Sequence, residues 1–289
     1  MSASFTRHEK YDKISGMTST KTARADGTIE LTITIPWTDV GKTYEEVVAE
    51  MVKHAELPGF RVGQAPRAMV EKSLDKTKVY EEALKTLIPN AYNEAVKAQD
   101  VKPIVNPKIE LLDATENKDW IFKALTCERP NLTLKDYKPE IAALKNKILK
   151  PGEETKKPTI DELLMTLYNN VTITLPALLV EHEVNRLLSE LIDQTKKLGL
   201  TVEQYLASTQ RTGDTIKKEY EEQAKRTLTL EFALESIADA EGVLVSDDDI
   251  DAVIKTGKTD EEKEALKNQR YYLASVLRRQ KTLDFLSSL

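Results

Sequence analysis

Little in this sequence lends itself to covalent or metal chemistry. Its one cysteine, Cys127, excludes an internal disulfide and fits a reducing compartment. The three histidines, His8, His54 and His182, stand far apart, and none is spaced to share a metal or to form a Cys–His nucleophile with Cys127. Long apolar runs are missing, so no segment spans a bilayer and no membrane partner is expected. Residues 1–20 are polar, carrying Arg7, His8, Glu9, Lys10, Asp12 and Lys13, and contain no apolar stretch like a signal-peptide core. The expectation is a cytoplasmic chain. An excess of positive charge is absent as well. Residues 1–130 hold 19 Lys+Arg against 20 Asp+Glu, and the remainder holds 23 against 28, so the second half carries most of the net charge of −6. Neither half has the field of a nucleic-acid domain. DNA is not an expected partner, and any contact with RNA rests on a local patch.

What is present is a soluble, globular balance, 40% hydrophobic and 31% charged, in 289 residues, enough for one large domain or two ordinary ones. Residues 1–22 read as a flexible tail. Thr28 to Ile35 alternates, with Ile29, Leu31, Ile33 and Ile35 on one face, as a half-buried strand does. A helix is expected from Tyr44 to His54, with Thr43 as N-cap and Glu46 closing a capping box. Pro58, Gly59, Gly63 and Pro66 then mark an inter-helix loop from Leu57 to Pro66. Helices follow over 67–74 and 79–99, the second kinked or divided by Pro89, then strands over 104–112 and 120–126. The N-terminal half, residues 23–130, is thus a small α+β domain.

Prolines 130, 139, 151 and 158 and the polar run from Lys150 to Lys157 make residues 131–158 a linker. The rest, residues 159–289, reads as a helical domain. Thr159–Glu162, Thr201–Gln204 and Thr259–Glu262 have capping-box spacing. Val180, Val184, Leu187, Leu188, Leu191 and Leu198 form one stripe. Asp214 to Ala240 is a long amphipathic helix stopped by Gly242, and Asp260 to Leu289 is another. Long helices with little chain for a shared core suggest an extended, arm-like body.

Two Gly-Lys-Thr triplets invite a phosphate-loop reading. The glycine that loop needs five residues before Gly41 is Pro36, which has no amide hydrogen, and before Gly257 it is Ala252. Helix capping explains both threonines better, and no cofactor is expected. The acidic pairs, including Asp247–Asp249, read as solvated first turns that complement the helix dipole, and no metal site is expected. Trp37 and Trp120 flank strands and read as core. The segment Leu57-Pro58-Gly59-Phe60-Arg61-Val62-Gly63-Gln64-Ala65-Pro66-Arg67 is different: an aromatic and a cation sit at a tip bracketed by glycines. Either the ring fills a partner's pocket while the guanidinium pairs with phosphate or carboxylate, or Phe60 folds back onto the two helices.

This segment resembles the Gly-Phe-Arg-x-Gly-x-x-Pro ribosome-docking loop of bacterial trigger factors, matching at Gly59, Phe60, Arg61, Gly63 and Pro66. Val79-Tyr80-Glu81-Glu82-Ala83-Leu84 and Lys102-Pro103-Ile104 follow in the family's order. So do Leu175-Pro176-Ala177-Leu178-Leu179-Val180-Glu181, Leu200-Thr201-Val202-Glu203-Gln204-Tyr205-Leu206 and Ala240-Glu241-Gly242-Val243. The resemblance covers roughly residues 23–130 and 160–289. It implies an α+β ribosome-binding domain followed by an elongated all-α chaperone domain with arm-like helices. It also implies ATP-independent shielding of unfolded or nascent polypeptides, on a ribosome contacted through large-subunit protein and rRNA near the exit tunnel. Gly59, Phe60, Arg61 and Gly63 would be the ribosome-binding residues. Met165, Tyr168, Tyr205 and Leu206 are candidate client contacts, with a place in the core as the alternative reading of each. Two departures stand out. Val62 and Gln64 occupy positions where the family carries lysines. The FKBP-type prolyl isomerase domain usual in the family has no room, because only 37 residues separate Pro139 from Leu175, inclusive. The alternative from the same body is a ribosome-independent holdase or assembly chaperone; a prolyl isomerase ranks last.

Overall fold

The computed structural model describes residues 16–147 and 158–289 and divides the chain into two compact units, Met1–Arg129 and Pro130–Leu289. The first unit begins with β1 (Thr18–Ala23) and β2 (Thr28–Ile35), joined by a turn in which Gly27 adopts φ +86° and the Asp26 carboxylate accepts from the Thr28 amide. Then come α1 (Trp37–His54), α2 (Arg67–Ser73), α3 (Lys76–Ala98), β3 (Lys108–Asp113) and β4 (Trp120–Cys127). The four strands form one antiparallel sheet in the order β1-β2-β4-β3. The alternation in β2 has its expected consequence. Ile29, Leu31, Ile33 and Ile35 are buried, opposite Thr126, Ala124, Phe122 and Trp120 of β4, and they share a core with Val40 of α1 and Ala83, Leu87 and Ala91 of α3.

Three sequence expectations need correcting in this unit. The tail expected over 1–22 ends in strand β1, which is nearly all exposed and is held by its ladder to β2 rather than by burial, so apolar patterning does not reveal it; residues 1–15 lie outside the described residues. Helix α1 starts at Trp37, not Tyr44. The Asp39 and Val40 amides donate to the Pro36 carbonyl, and Thr43 is interior. Pro89 does not divide α3. A mid-helix proline costs about 3 kcal/mol, and burial of Leu87 and Tyr92, on the order of 2 kcal/mol each, offsets it.

The second unit contains β5 (Leu132–Leu134), α4 (Tyr137–Lys147), α5 (Ile160–Asn169), β6 (Val171–Ile173), α6 (Ala177–Lys197), α7 (Val202–Ser208), α8 (Gly213–Ala240), α9 (Asp247–Ile254), α10 (Asp260–Asn268) and α11 (Arg270–Ser288). It is helical as expected, with the antiparallel β5–β6 ribbon added. Its main core joins Tyr137, Ile141, Leu163, Leu167, Leu234, Ile237 and Leu286. The described part of the expected linker, 131–147, is therefore not a linker: Tyr137 and Ile141 are buried, and Pro139 sits in the first turn of α4, where its missing amide hydrogen leaves no bond unmade. Residues 148–157 lie outside the described residues.

The expected caps at Thr159 and Thr201 form complete capping boxes. Ser246–Asp249 is a third box that sequence reading passed over as an acidic cluster. The stripe on α6 buries Val184, Leu187 and Leu191 but not Leu198, which lies beyond the helix end and is 70% exposed. The single helix expected from Asp260 is two, because Gln269 leaves helical geometry at φ −103° and ψ 20°.

Candidate functional site

The chain leaves α1 where Ala55 turns extended, and Pro58 disfavours helical backbone at the residue before it. Two turns follow back to back. The Phe60 amide donates to the Leu57 carbonyl at 3.0 Å, with Pro58 and Gly59 in the middle. The Gln64 amide donates to the Arg61 carbonyl at 2.9 Å, with Val62 and Gly63 in the middle. Gly59 has φ +88° and Gly63 has φ +71°, the positive values that the third residue of a type II turn requires. The Gly63 amide also donates to the Ala55 carbonyl at 3.1 Å, which pins the loop to the end of α1. There the glycine is needed for space as well: a Cβ on Gly63 would stand 2.4 Å from the Lys53 carbonyl oxygen. Ala65 is buried and Pro66 is the N-cap residue of α2.

This leaves Phe60 and Arg61 between the turns, facing outward. Phe60 is 40% exposed, so its ring does not fold fully back onto the helices. Arg61 is exposed, and among the described residues no carboxylate lies within ion-pair distance of it. Its neighbours are already engaged: Arg67 pairs with Glu45 and Glu71, and Lys53 with Glu50 at 2.9 Å. Val62 is 56% exposed and Met69 of α2 is 50% exposed. Sequence reading missed Met69, which becomes visible only in the structure, where Val70 is the sole buried residue of its short helix.

The candidate client contacts fall in two places. Met165 and Tyr168 are one turn apart on α5, 49% and 36% exposed, and Arg226 of α8 reaches over both. Its guanidinium is 6.0 Å from the Tyr168 ring centre and 3.7 Å from the Met165 sulfur. Tyr205 and Leu206 lie on α7 and are half-buried, in a helix that packs on α6 rather than on α5. The structure does not bring the four together.

Both phosphate-loop look-alikes are occupied by helix chemistry. Gly41-Lys42-Thr43 is inside α1, with its amides in the helix ladder. At Gly257-Lys258-Thr259 the Lys258 amide already donates to the Glu262 carboxylate at 2.6 Å, and Thr259 caps α10. Burial pushes the Cys127 thiol up to about 11, which keeps it protonated and unreactive at neutral pH. Among the described residues no cluster of His, Cys, Asp and Glu could hold a metal ion, and no helix is long and apolar enough to cross a membrane.

A family model described as bacterial trigger factor protein matches residues 17–167, and one described as bacterial trigger factor protein C-terminus matches residues 133–288. Trigger factors of Staphylococcus aureus strains JH9, Newman and N315 are each 35% identical over 108 residues, 37% of this chain and 25% of each relative. The matched part of this chain thus spans a quarter of the length of those curated relatives. A solved chain, from work on promiscuous substrate recognition in folding and assembly activities of the trigger factor chaperone, superposes with a TM-score of 0.62 at 14% identity. The superposition covers 94% of this chain and 99% of that one, and shows the shared fold.

Proposed function

The chain belongs to the bacterial trigger factor family, and from that premise we propose that it is an ATP-independent chaperone that docks on the ribosome and shields apolar segments of nascent polypeptides. The observation that carries the reading is the loop between α1 and α2. Two glycine-dependent turns, pinned to the end of α1, hold outward an aromatic ring and a guanidinium that meets no carboxylate among the described residues, which is how a docking anchor is built. The contact falls on large-subunit protein and rRNA near the exit tunnel, in the cytoplasm. The helical unit supplies the chaperone surface through exposed apolar side chains such as Met165, Tyr168 and Val276, each a weak contact that lets a client leave and fold. The reading includes no prolyl isomerase activity, since the two matched regions overlap and leave no interval for that domain.

Co-sedimentation with ribosomes tests it. Wild type should pellet. Phe60→Ala should weaken pelleting by about 2 kcal/mol or more if the ring is a hot spot, with at most a small drop in melting, because the residue is already 40% exposed. A ribosome-independent holdase is favoured by one observation, the exposed Val62 and Gln64 where lysines are expected. Wild type that does not pellet but still suppresses aggregation of a diluted client would establish that second reading.

A further inference from the structure

A groove of about 630 Å³ runs between α1 and α3 in the first unit. Its apolar lining comes from the half-buried Val47 and Met51, one turn apart on α1, with Ala49 at the edge of the helix face. Its rim carries three carboxylates, Glu46, Glu50 and Glu82, against one ammonium, Lys53, with His54 at the end. Glu50 is shared by Lys53 at 2.9 Å and His54 at 3.3 Å, and Glu82 is paired with Lys85 at 2.7 Å. Such exposed pairs are weak and exchangeable. Glu46 is exposed, with no cation within ion-pair distance among the described residues. The three carboxylates therefore exceed the two ammoniums that meet them, Lys53 and Lys85, by one, beside apolar side chains.

The groove is continuous with the docking loop. Lys53 and His54 line its end, and the carbonyl of the same Lys53 is the group against which Gly63 packs. A ribosome approached through this loop thus meets an acidic, apolar-floored groove beside it. RNA phosphate is repelled by such a rim, whereas a polypeptide bearing lysines or arginines around an apolar side chain is complementary to it.

Resting on the ribosome-docking reading, we propose that the α1–α3 groove is a second docking element, and that its occupant is a basic, apolar-anchored protein segment of the ribosome surface. The apolar anchor fills the floor over Val47 and Met51, while the segment's cations meet Glu46, Glu50 and Glu82. This contact offsets charge that the loop lacks at Val62 and Gln64, with the opposite sign of partner.

The sign of a charge reversal separates protein from RNA. In ribosome co-sedimentation, Glu46→Lys with Glu82→Lys should weaken binding roughly threefold to tenfold, the loss of one to two exposed charge pairs and their replacement by repulsion. If the groove faced rRNA, the same variant would bind more tightly and with a steeper salt dependence; that result, or no change, overturns the proposal. All three rim glutamates are on the surface, and a melting curve matching wild type confirms that the variant folds. A second arm does not need the ribosome. A fluorescent 15-residue peptide of alternating lysine and leucine should bind the full-length wild-type protein, bind the double variant at least severalfold more weakly, and be displaced by raising salt. Failure of wild type to bind this peptide, or equal binding by the variant, rejects the groove even if the loop docks. Peptide binding without ribosome pelleting rejects the docking reading and removes the ribosomal source of the segment.

Discussion

Gly59 and Gly63 share a left-handed backbone but not a neighbourhood. Around Gly59 a Cβ would meet nothing within 4 Å, whereas at Gly63 it would run into the Lys53 backbone. Gly59→Ala should therefore cost only the backbone penalty, about 1–2 kcal/mol. Gly63→Ala must also push the loop off the end of α1. The expected outcome is a mild change in melting and docking for the first and a distinctly larger loss of ribosome pelleting for the second. Equal effects would mean that the pinning bond to Ala55 does not hold the loop. The loop and its two glycines were legible in the sequence because positive-φ turns have a residue signature. The reason Gly63 tolerates no side chain was not, since it is a contact across ten residues with α1. Val62 and Gln64 allow a further check at this scale. Replacing both with lysine should tighten docking and steepen the salt dependence by roughly one to two units of log–log slope if both reach phosphate. No steepening would place the loop against protein alone.

At the scale of elements, the least legible feature is how α9 is fastened to α11. The Asp247–Asp249 run looks like a solvated helix start, and Asp248 remains one. Asp249, however, closes a capping box with Ser246 and pairs with Lys281 at 2.6 Å, while Arg270 spans Asp247 and Asp251 at 2.7 Å each. Periodicity shows which face of a helix is apolar but not which cation will arrive from 32 residues away. The helix caps show the other side of the matter: Thr159 and Thr201 were readable because their partners lie three residues on. Lys281, followed by Ser246, lowers the Asp249 carboxyl to about 2, against about 3.9 for an unperturbed aspartate. A depressed folded-state value stabilises the fold above the unfolded value, and that contribution fades as pH falls from about 4 toward about 2. Lys281→Met keeps the stem and removes the charge. It should lower the melting temperature near neutral pH, and the gap from wild type should close on acidification toward about pH 2. A gap that persists at low pH would mean that Lys281 acts through packing.

Across the whole molecule, the two units have separate cores. One is built on Leu31, Ile33, Trp120 and Phe122, the other on Ile141, Leu163, Leu167 and Ile237. The change from strands to helices made this division legible, but the boundary was not. The prolines after Arg129 suggested a linker, yet Tyr137 and Ile141 belong to the second core, because a proline in a first helical turn marks a start as readily as a break. A unit with its own core can fold alone, and the proposed roles fall on different units: the docking loop on the first, the exposed apolar side chains of α5 and α11 on the second. Residues 1–129 expressed alone should then pellet with ribosomes in a Phe60-dependent way and leave aggregation of a diluted denatured client unchanged. Residues 130–289 should suppress that aggregation without nucleotide, since the Lys258 amide that resembles a phosphate contact is already bound by Glu262, and should not pellet. The cut after Arg129 matters, because a cut at residue 158 would strip α4 from the second core and expose Leu163 and Leu167. That shorter fragment should aggregate by itself where the longer one stays soluble, as measured by light scattering on heating. If the two fragments behave alike, α4 contributes nothing to the second core's stability. If neither fragment of the 129/130 cut retains its activity while both fold, docking and shielding depend on both units together.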